Sequence, residues 1–383
     1  MGKGPKGQGK LMKFAIERAV LVKAVSQAQS VVERRNTIPI LANVLIEAKP
    51  EGVSFRATDL DTEVVDRAMA QVDRPGATTV SAVMLNEIAR KLPDGALVQI
   101  SSDDASGRLS VQAGRSSFSL ATLPREDFPV MATSEYSANF KAKAGLLKRL
   151  FDKSKFAIST EETRYYLNGV YMHVAQAEGG PMLRCVATDG HRLARIDAPL
   201  PIGAEEMPGV IVPRKTVAEL RKLLDDDDTE IAVSVSETKV RFATAELTLT
   251  SKVIDGTFPD YSRVIPSGNQ RRLEVDASDF ARAVDRVATV SSERSRAVKL
   301  SLDQDRLVLS VNAPDAGAAE EELIVAYADE ALEIGFNAKY LQEIAAQVDR
   351  DNAVFMFNGS GDAALIREGS DDSAVYVVMP MRV

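Results

Sequence analysis

The sequence predicts an α+β fold made of three repeated domains, each containing two strand–helix–three-strand units. One observation is repetition: a short strand, a helix of two to four turns and three short strands recur six times along the 383 residues. The other is size, because six units in residues 12–383 average about 62 residues, which is too few to bury a good core alone. Paired units give domains at 12–131, 135–266 and 268–383.

The helices are predicted from apolar residues spaced three and four apart, as in the run Leu146–Phe151. Asn337 and Ser278 stand where helix N-caps belong. The predicted helices cover residues 18–32, 83–92, 144–156, 214–224, 277–290 and 338–347.

The strands are predicted from alternating apolar residues, as in Ile231–Val235, separated by turn signals such as Pro93-Asp94-Gly95 and Asn358-Gly359. The predicted strands cover 14–16, 41–48, 53–57, 62–69, 78–81, 96–101, 108–112 and 116–121 in the first domain, 136–141, 169–174, 182–187, 192–197, 209–212, 231–235, 239–243 and 246–251 in the second, and 272–276, 297–302, 306–311, 320–326, 331–336, 353–357, 363–367 and 374–379 in the third.

Composition excludes several classes of protein. With 45% hydrophobic and 27% charged residues the chain is neither disordered nor collagen-like. A single cysteine, Cys185, excludes an internal disulfide, and two histidines exclude a His-rich metal site. Apolar runs such as Val375–Met379 are too short to cross a bilayer, and no signal peptide is visible. We therefore expect a cytoplasmic protein without a metal or cofactor.

Residues 1–11 are rich in Gly and Lys and lack apolar periodicity, so we interpret them as a leader, tag or flexible extension, with Met12 as the natural start. Gly4, Gly9 and Lys10 match the spacing of a phosphate-binding loop. Such a loop follows a strand and continues with Ser or Thr, whereas Leu11 stands here. We expect no nucleotide site in this segment.

Charge is unevenly distributed. The whole chain carries −8, yet the helical windows 18–32, 86–91, 146–156, 217–224, 279–286 and 338–347 hold 13 Lys or Arg against 6 Asp or Glu. One interpretation is that basic residues simply favour solvated helix faces. The other is that the helices share a surface that faces an anion such as the phosphate backbone of DNA, while the sheets face outward.

Repetition and segregated charge together suggest a closed ring lined by helices. Six helices about 10 Å wide, placed side by side, would leave an opening of about 9 Å. That is narrower than the major groove of DNA, about 12 Å, whereas twelve helices would leave about 28 Å. A ring that admits a duplex therefore requires two chains.

The residues also resemble a known family, the bacterial β sliding clamps, over essentially all of 12–383. The segments that carry the resemblance are TIPILANV (37–44), ATDLDTEV (57–64), FSLATLPREDFP (118–129), RYYLNGV (164–170), VATDGHRLA (186–194), VIVPRK (210–215), DGTFPDYSRVIP (255–266), EIGFN (333–337) and YVVMPMRV (376–383).

The resemblance implies a processivity factor of DNA polymerase III that encircles duplex DNA as a head-to-tail homodimeric ring. It implies a non-catalytic subunit of a holoenzyme that is a DNA-directed DNA polymerase, a nucleotidyltransferase. The implied partners are DNA, a second copy of the chain, the polymerase alpha subunit, an ATP-driven clamp loader, and other polymerases and repair proteins with clamp-binding peptides.

By the same resemblance, partner peptides dock in a hydrophobic cleft between the second and third domains. Gly190 would permit close backbone approach, and Arg192 and Arg263 would orient the peptide. From pattern alone Val375–Met379 is a core strand; the resemblance assigns the chain end to the cleft instead. The matching positions are Leu167, Thr188, Gly190, His191, Arg192, Leu193, Pro259, Arg263, Val264, Asn337, Tyr340, Val377, Val378, Met379, Pro380, Met381 and Arg382.

The resemblance further implies DNA contacts that depend on charge and weaken with salt. Val83-Met84 and Thr160-Glu161 depart from residues that some relatives use for DNA, so contacts at those two places are in doubt. The DNA-binding candidates are Arg35, Arg90, Lys148, Arg149, Lys153, Arg164, Tyr165, Tyr166, Arg214 and Lys215.

Ring closure is implied to pair an edge strand of the first domain with the third domain of the other subunit. Thr289 and Val290 are smaller than typical family residues there, which predicts a looser interface. The interface candidates are Arg108, Arg115, Phe118, Leu120, Thr289, Val290, Asp315, Glu320 and Glu321.

Two alternative functions remain open from the residues: a nucleic-acid-processing enzyme, and a peptide-binding scaffold that never binds DNA. Asp189 and His191 could form an acid–base pair, although no reactive Ser or Cys motif accompanies them. Asp59, Asp61 and the run Asp225–Asp228 could bind a divalent cation, although the run is more typical of a solvated loop.

Overall fold

The computed structural model describes residues 11–33, 37–103, 106–132, 135–224, 226–291, 296–314, 316–348, 352–369 and 371–383. Its contacts divide the chain into two compact units. The first contains residues 1–144 and 218–253, and the second contains 145–217 and 254–383. The leader prediction, including the Gly4–Lys10 spacing, falls outside the described residues except at Leu11.

All six predicted helices are present in the described chain. The third is shorter than predicted, because Ser154 Oγ donates a hydrogen bond to the Leu150 carbonyl at 2.7 Å and competes with the helical backbone. A 3₁₀ turn at Lys155–Ala157 follows it. The helices are α1 (Arg18–Val31), α2 (Ala82–Lys91), α3 (Ala144–Asp152), α4 (Arg214–Leu223), α5 (Ala277–Ala288) and α6 (Ala338–Ala345).

The strands follow the predicted order with two additions, the short β5 and β22. They are β1 (Leu11–Glu17), β2 (Asn43–Lys49), β3 (Gly52–Thr58), β4 (Thr62–Ala68), β5 (Gln71–Arg74), β6 (Gly76–Ser81), β7 (Leu97–Asp103), β8 (Arg108–Ala113), β9 (Ser116–Ala121), β10 (Ala138–Lys143), β11 (Gly169–Ala177), β12 (Gly180–Thr188), β13 (Arg192–Pro199), β14 (Val210–Pro213), β15 (Glu230–Val235), β16 (Lys239–Ala243), β17 (Leu247–Lys252), β18 (Arg271–Asp276), β19 (Ala297–Asp303), β20 (Arg306–Ala313), β21 (Gly317–Ile324), β22 (Ala326–Tyr327), β23 (Leu332–Asn337), β24 (Asn352–Phe357), β25 (Ala364–Glu368) and β26 (Asp371–Val378).

Helix starts confirm one predicted cap and correct the other. Asn337 caps α6, because its side chain accepts a hydrogen bond from the Lys339 amide. Ser278 does not cap α5: it lies inside the helix, which begins at Ala277, and the N-cap is Asp276, whose side chain accepts a hydrogen bond from the Asp279 amide at 2.7 Å. Strand β2 also begins later than predicted, because Pro39 opens a 3₁₀ turn over Pro39–Ala42.

The first unit contains two antiparallel sheets. One has the strand order β5-β1-β7-β8-β9, and the other has the order β10-β15-β16-β17-β4-β3-β2-β6. Helices α1 and α2 bury apolar side chains such as Leu21, Val25 and Leu85. Strand β9 forms an open edge of the smaller sheet.

The second unit also contains two sheets. The larger has the order β14-β11-β12-β13-β26-β25-β24-β18-β22, and the smaller has the order β21-β20-β19-β23. The pairing of β13 with β26 places the chain end beside the turn between β12 and β13. The acidic strand β21 forms an open edge of the smaller sheet. Within the described residues no helix is both long and apolar enough to span a membrane.

Candidate peptide-binding site

The turn between β12 and β13, residues 188–192, is held by its own side chains; we refer to it as the Asp189 turn. The Thr188 hydroxyl donates to the Arg192 carbonyl at 2.7 Å and accepts from the Gly190 amide at 3.1 Å. Asp189 Oδ1 accepts from the amides of His191 and Arg192 at 2.9 and 3.0 Å. A Thr and an Asp at fixed spacing thus make a rigid turn without a long loop.

Gly190 gives room to an arginine that the sequence assigned to DNA. Its φ is +88°, and a Cβ there would stand 2.5 Å from Arg164 Nη1. Arg164 lies in a 3₁₀ turn, Glu162–Leu167, and pairs with Glu161 at 2.7 Å. The hydrogen bond from Arg164 lowers the pKa of the Glu161 carboxyl below its usual value. Arg164 therefore lies against the Asp189 turn.

Arg192 is almost entirely buried, with 8% of its side chain exposed. It donates to Asp189 Oδ2 at 3.1 Å and to the Phe156 carbonyl at 2.6 Å, and it pairs with Glu343 on α6. Its guanidinium lies 4.4 Å from the Tyr340 ring centroid. These contacts surround the Arg192 cation and link the turn to α6, while its expected role in orienting a peptide stays a prediction.

An apolar cluster lies under the turn. Tyr166, the second tyrosine assigned to the DNA channel, packs against it beside Tyr171 and Tyr261. Because these side chains are buried, the cluster acts as a packed core that supports the exposed residues of the region. The buried members of the cluster are Leu167, Val186, Leu193, Ile211, Phe258 and Val377.

The chain end is fixed by backbone hydrogen bonds. The Met379 amide donates to the His191 carbonyl, and the Met381 amide donates to the Gly335 carbonyl, both at 2.8 Å. Gly335 is required there, because a Cβ would stand 2.7 Å from the Met381 carbonyl oxygen. Val378 is fully buried while Met379 is 45% exposed. The pattern-based core strand therefore holds through Val378, and the exposed surface begins at Met379.

Residues 258–264, which we call the wall segment, lie beside the apolar cluster and form another part of the region. The wall segment ends in a 3₁₀ turn, Tyr261–Val264. Phe258 points into the apolar cluster, whereas Pro259 and Val264 are exposed. Arg263 is also exposed and pairs with Asp260 at 2.8 Å.

The structure therefore brings most expected cleft residues into one region of the second unit, around the Asp189 turn. Asn337 and Tyr340 join it through α6, where the His191 and Tyr340 rings stack at 6.5 Å. Sequence reasoning missed four residues that build the region: Arg164, Tyr166, Phe258 and Glu343. Gly190 was a signal that could have identified Arg164. A glycine in a tight turn leaves room for a side chain from another segment, and here Arg164 occupies that room.

The DNA-binding candidates occupy varied surroundings. Lys153 is 8% exposed, and its amine donates to the Gln347 carbonyl at 2.7 Å, so we leave it out of the DNA-binding set. Arg149 is held by Asp371, Ser373 and the Asp197 carbonyl. Arg90, Tyr165 and Arg214 are exposed, Lys148 and Lys215 are partly buried and have interaction partners, and Arg35 lies outside the described residues.

The dimer candidates lie on or near the open sheet edges β9 and β21 and, for Thr289 and Val290, just after α5. On β9 the Phe118 ring is 36% exposed and Leu120 is buried, with Arg108 and Arg115 exposed on the adjacent strand and turn. On β21 Glu320 is exposed, and Glu321 accepts from Arg286 at 2.8 Å, which lowers its pKa. Thr289 is exposed and Val290 partly so; Asp315 lies outside the described residues.

The described residues that suggested an alternative chemistry make other contacts in the structure. Asp189 bonds backbone amides and Arg192, not the His191 ring. Asp59 performs the same backbone task in the β3–β4 turn, residues 58–62, which we call the Asp59 turn. Cys185 is fully buried, and burial raises the pKa of its thiol. No metal-binding group of three acidic, His or Cys residues occurs in the part of the chain that the structure describes; Asp225 lies outside it.

Comparison with known proteins accounts for this arrangement. Residues 12–132 match the N-terminal domain of the DNA polymerase III beta subunit, 141–260 match its central domain, and 262–382 match its C-terminal domain. The beta sliding clamp of Caulobacter vibrioides is 52% identical over 372 residues, covering 97% of this chain and 100% of the relative. That of Escherichia coli K12 is 38% identical over 375 residues, with the same coverage of both chains.

Solved structures agree. A sliding clamp of Bartonella birtlesii bound to griselimycin superposes with a TM-score of 0.94 at 48% identity, covering 97% of this chain and all of that one. A Caulobacter crescentus clamp gives the same TM-score at 52% identity, covering 98% and 100%. The α+β fold of three repeated domains is thereby confirmed, and the chain belongs to the DNA polymerase III beta subunit family, the bacterial sliding clamps.

Proposed function

We propose that two copies of this chain form a ring that encloses duplex DNA and tethers DNA polymerase III to it. The observation that carries the proposal is full-length similarity to sliding clamps, 52% identical in the case of Caulobacter vibrioides. The excess of basic residues on the helices supports a lining that attracts phosphates without reading sequence. Arg90 and Arg214, both exposed, are the clearest candidate contacts.

The clamp proposal is tested by retention on DNA. Loaded onto nicked circular DNA by a bacterial clamp loader with ATP, the protein should stay bound through gel filtration. It should be lost once the circle is cut, because a ring slides off a free end. Equal retention on circular and linear DNA would contradict topological binding, and no retention on either would favour the DNA-free scaffold.

We propose that the ring closes through β9 of one copy and β21 of the other. Both strands end a sheet with unpaired backbone groups, which makes them suited to pairing between subunits. Their charges are opposite, with Arg115 beside β9 and Glu320 on β21. Analytical ultracentrifugation should show that Arg115→Glu weakens the dimer and that adding Glu320→Arg restores it; failure of the double variant would contradict the pairing.

We propose that the cleft at the Asp189 turn binds short hydrophobic peptides from polymerases and other partners. The exposed Met379 and Val264 supply the contact surface, and the buried apolar cluster supports it. Relatives from Bartonella birtlesii and Pseudomonas aeruginosa were solved bound to griselimycin, so that compound should compete with such a peptide here.

The test of the cleft is fluorescence anisotropy with a labelled peptide from a bacterial replicative polymerase. Met379→Glu and Val264→Glu should each weaken binding at least about tenfold, roughly 1.4 kcal/mol. Ile202→Glu is the matched control, since Ile202 is 93% exposed and lies away from the cleft residues. Equal losses in all three variants would contradict the location.

The remaining features follow from the clamp proposal. The chain acts as a non-catalytic accessory subunit, while nucleotidyl transfer belongs to the polymerase it tethers. An ATP-driven loader opens the ring, and replication places the protein in the cytoplasm. Purified protein should show neither nuclease nor polymerase activity with Mg²⁺, and activity lost on mutating Asp59 and Asp61 would support an enzyme instead.

A further inference from the structure

A partly buried network of polar side chains ties the wall segment to the sheet that contains β11, β12 and β13. Among the described contacts, Tyr261 is the only residue of the wall segment whose side chain forms hydrogen bonds with this network. Its hydroxyl lies 3.0 Å from His173 Nε2 on β11 and 3.2 Å from Arg184 Nη1 on β12. Arg184 in turn makes a two-pronged pair with Asp197 on β13, at 2.6 and 2.8 Å.

The groups around His173 imply one consistent set of hydrogen-bond directions. His173 Nδ1 lies 2.9 Å from the Val174 carbonyl oxygen, which only accepts, so Nδ1 carries a proton. In the neutral ring Nε2 must then accept, and Tyr261 donates its hydroxyl proton to it. The Tyr261 oxygen accepts from Arg184, whose other nitrogens donate to Asp197.

Stacked rings reinforce the same attachment. The Tyr171 ring stacks on His173 with centroids 4.5 Å apart and on Phe258 with centroids 5.0 Å apart. The first and the middle residue of the wall segment, Phe258 and Tyr261, thus contact strand β11. Between and beyond them lie the exposed cleft residues Pro259, Arg263 and Val264.

We propose that Tyr261 and neutral His173 form a latch that positions the wall segment for peptide binding, and that protonation of His173 opens it. This inference rests on the peptide-binding function proposed above. His173 and Tyr261 are positioning residues, because they act on the peptide through Pro259, Arg263 and Val264. The occupant of the cleft remains the hydrophobic peptide.

Protonation of His173 removes the acceptor for Tyr261. Nε2–H would then point at a hydroxyl that already accepts from Arg184, and the Tyr261 proton would lose its partner. The groups that face His173 and Tyr261 are Arg184, Arg195 and Asp197, with Tyr171 stacked on the imidazole. The Arg184 charge opposes a positive charge on His173, whereas the Asp197 carboxylate favours it.

The latch should therefore stay closed until the pH falls below the range in which an exposed histidine titrates. Burial is the main cause that lowers the pKa of His173, and the Arg184 charge lowers it further, while the Val174 carbonyl and Asp197 oppose the shift. We expect peptide affinity to be constant above about pH 6.5 and to fall as the pH drops further. Acidification weakens peptide binding because the pKa of His173 is lower in the closed state than in the open state, so protonation favours the open state.

Nuclear magnetic resonance tests the latch without any peptide. The chain has two histidines, so the ¹⁵N imidazole spectrum of the full-length protein is simple to assign with a His191→Gln variant. We expect His173 to be the neutral Nδ1–H tautomer at pH 7.5. Its ¹⁵N chemical shifts should change in Tyr261→Phe, which removes the hydrogen bond to Nε2. An Nε2–H tautomer, or a protonated ring at pH 7.5, would overturn the proposal.

Variants connect the latch to function. Tyr261→Phe should speed hydrogen exchange of residues 258–264 at least threefold at pH 7.5 and weaken the polymerase peptide about fivefold. Tyr327→Phe is the matched control, because it also removes a tyrosine hydroxyl that donates a hydrogen bond within the second unit, to the Glu330 carbonyl. It should change neither quantity.

His173→Gln separates positioning from titration. A glutamine oxygen can still accept from Tyr261 but does not titrate, so this variant should bind within threefold of wild type at pH 7.5 and lose the acid-dependent fall. A fall that persists in His173→Gln would overturn the switch. If wild type bound no peptide at all, the cleft proposal would fail, while the tautomer and exchange measurements would still decide the latch.

Discussion

The Asp59 turn and the Asp189 turn are the same structure built twice, once in each unit. In both, a Thr hydroxyl donates across the turn, at 2.9 Å from Thr58 and 2.7 Å from Thr188. In both, an Asp carboxylate accepts two backbone amides within the turn. The repeated ATD sequence therefore encodes a scaffold, and only the residues placed on it differ.

The first difference is at the residue with positive φ. Gly190 has φ of +88° and leaves space that Arg164 fills, whereas Leu60 has φ of +80° and is 42% exposed. The second difference is two residues later. Arg192 links its turn to α6, while the equivalent Thr62 is buried without such a link. The Asp189 turn thus differs from the Asp59 turn in three features: the small residue Gly190, the buried cation Arg192 and the chain end bonded beside it.

The largest expected difference between the turns comes from Arg192→Ala. Removing this cation leaves Asp189 and Glu343 without their partner in a largely buried site, which should lower the free energy of unfolding by about 2–3 kcal/mol. Thr62→Ala, the matched change in the Asp59 turn, should cost about 1 kcal/mol. Urea unfolding followed by circular dichroism measures both, and equal losses would contradict the special role of Arg192.

Gly190→Ala should come next. A methyl group at positive φ costs about 1–2 kcal/mol, and the displacement of Arg164 should weaken the polymerase peptide about tenfold. Gly95→Ala is the control, because Gly95 has φ of +73° but nothing within 4 Å of an added Cβ. It should lose similar stability and keep peptide affinity; loss of affinity in both variants would indicate a global effect.

Leu60→Gly should have a smaller effect of opposite sign. Glycine adopts positive φ without strain, so the substitution should stabilise the Asp59 turn by up to about 1 kcal/mol after the loss of some leucine packing. Thermal unfolding measures the change. A clear loss of stability would show that Leu60 packing outweighs its backbone strain.

The smallest effect is expected for Asp61→Ala. Asp61 pairs with Lys252 at 2.9 Å, but both side chains are more than half exposed. Removing such a pair should change the free energy of unfolding by less than about 0.5 kcal/mol and leave peptide affinity unchanged. A tenfold loss of peptide affinity would mean that the Asp59 turn also serves the cleft.

The fold was predictable because its periodic signals are local. Alternation and three–four spacing located all six helices and most strands, and the Asn337 cap followed from residue type. The short strand β5, Gln71–Arg74, carries polar residues without alternation, so only its pairing with β1 reveals it. Likewise the end of α3 depends on the Ser154 hydroxyl, which donates to the carbonyl of Leu150 four residues earlier. The spacing of apolar residues does not predict this hydrogen bond.

The site was predictable in its residues but not in its contacts. Arg164 and Tyr166 were assigned to DNA, yet they lie against Gly190 and the apolar cluster, because a 3₁₀ turn redirects them. Lys153 reads as a surface cation, whereas it is buried beside Glu368 at 3.4 Å. Long-range pairing between segments over 150 residues apart, as between Arg192 and Glu343, leaves no local pattern.

The claim that only the Asp189 turn serves peptide binding is tested most directly by methyl resonances of the 11 methionines. During titration with the polymerase peptide, the resonances of Met379 and Met381 should shift, because these residues follow β26 and their amides bond to the His191 and Gly335 carbonyls. Met69, exposed in the first unit that holds the Asp59 turn, should not. Shifts at Met69 with none at Met379 and Met381 would contradict it.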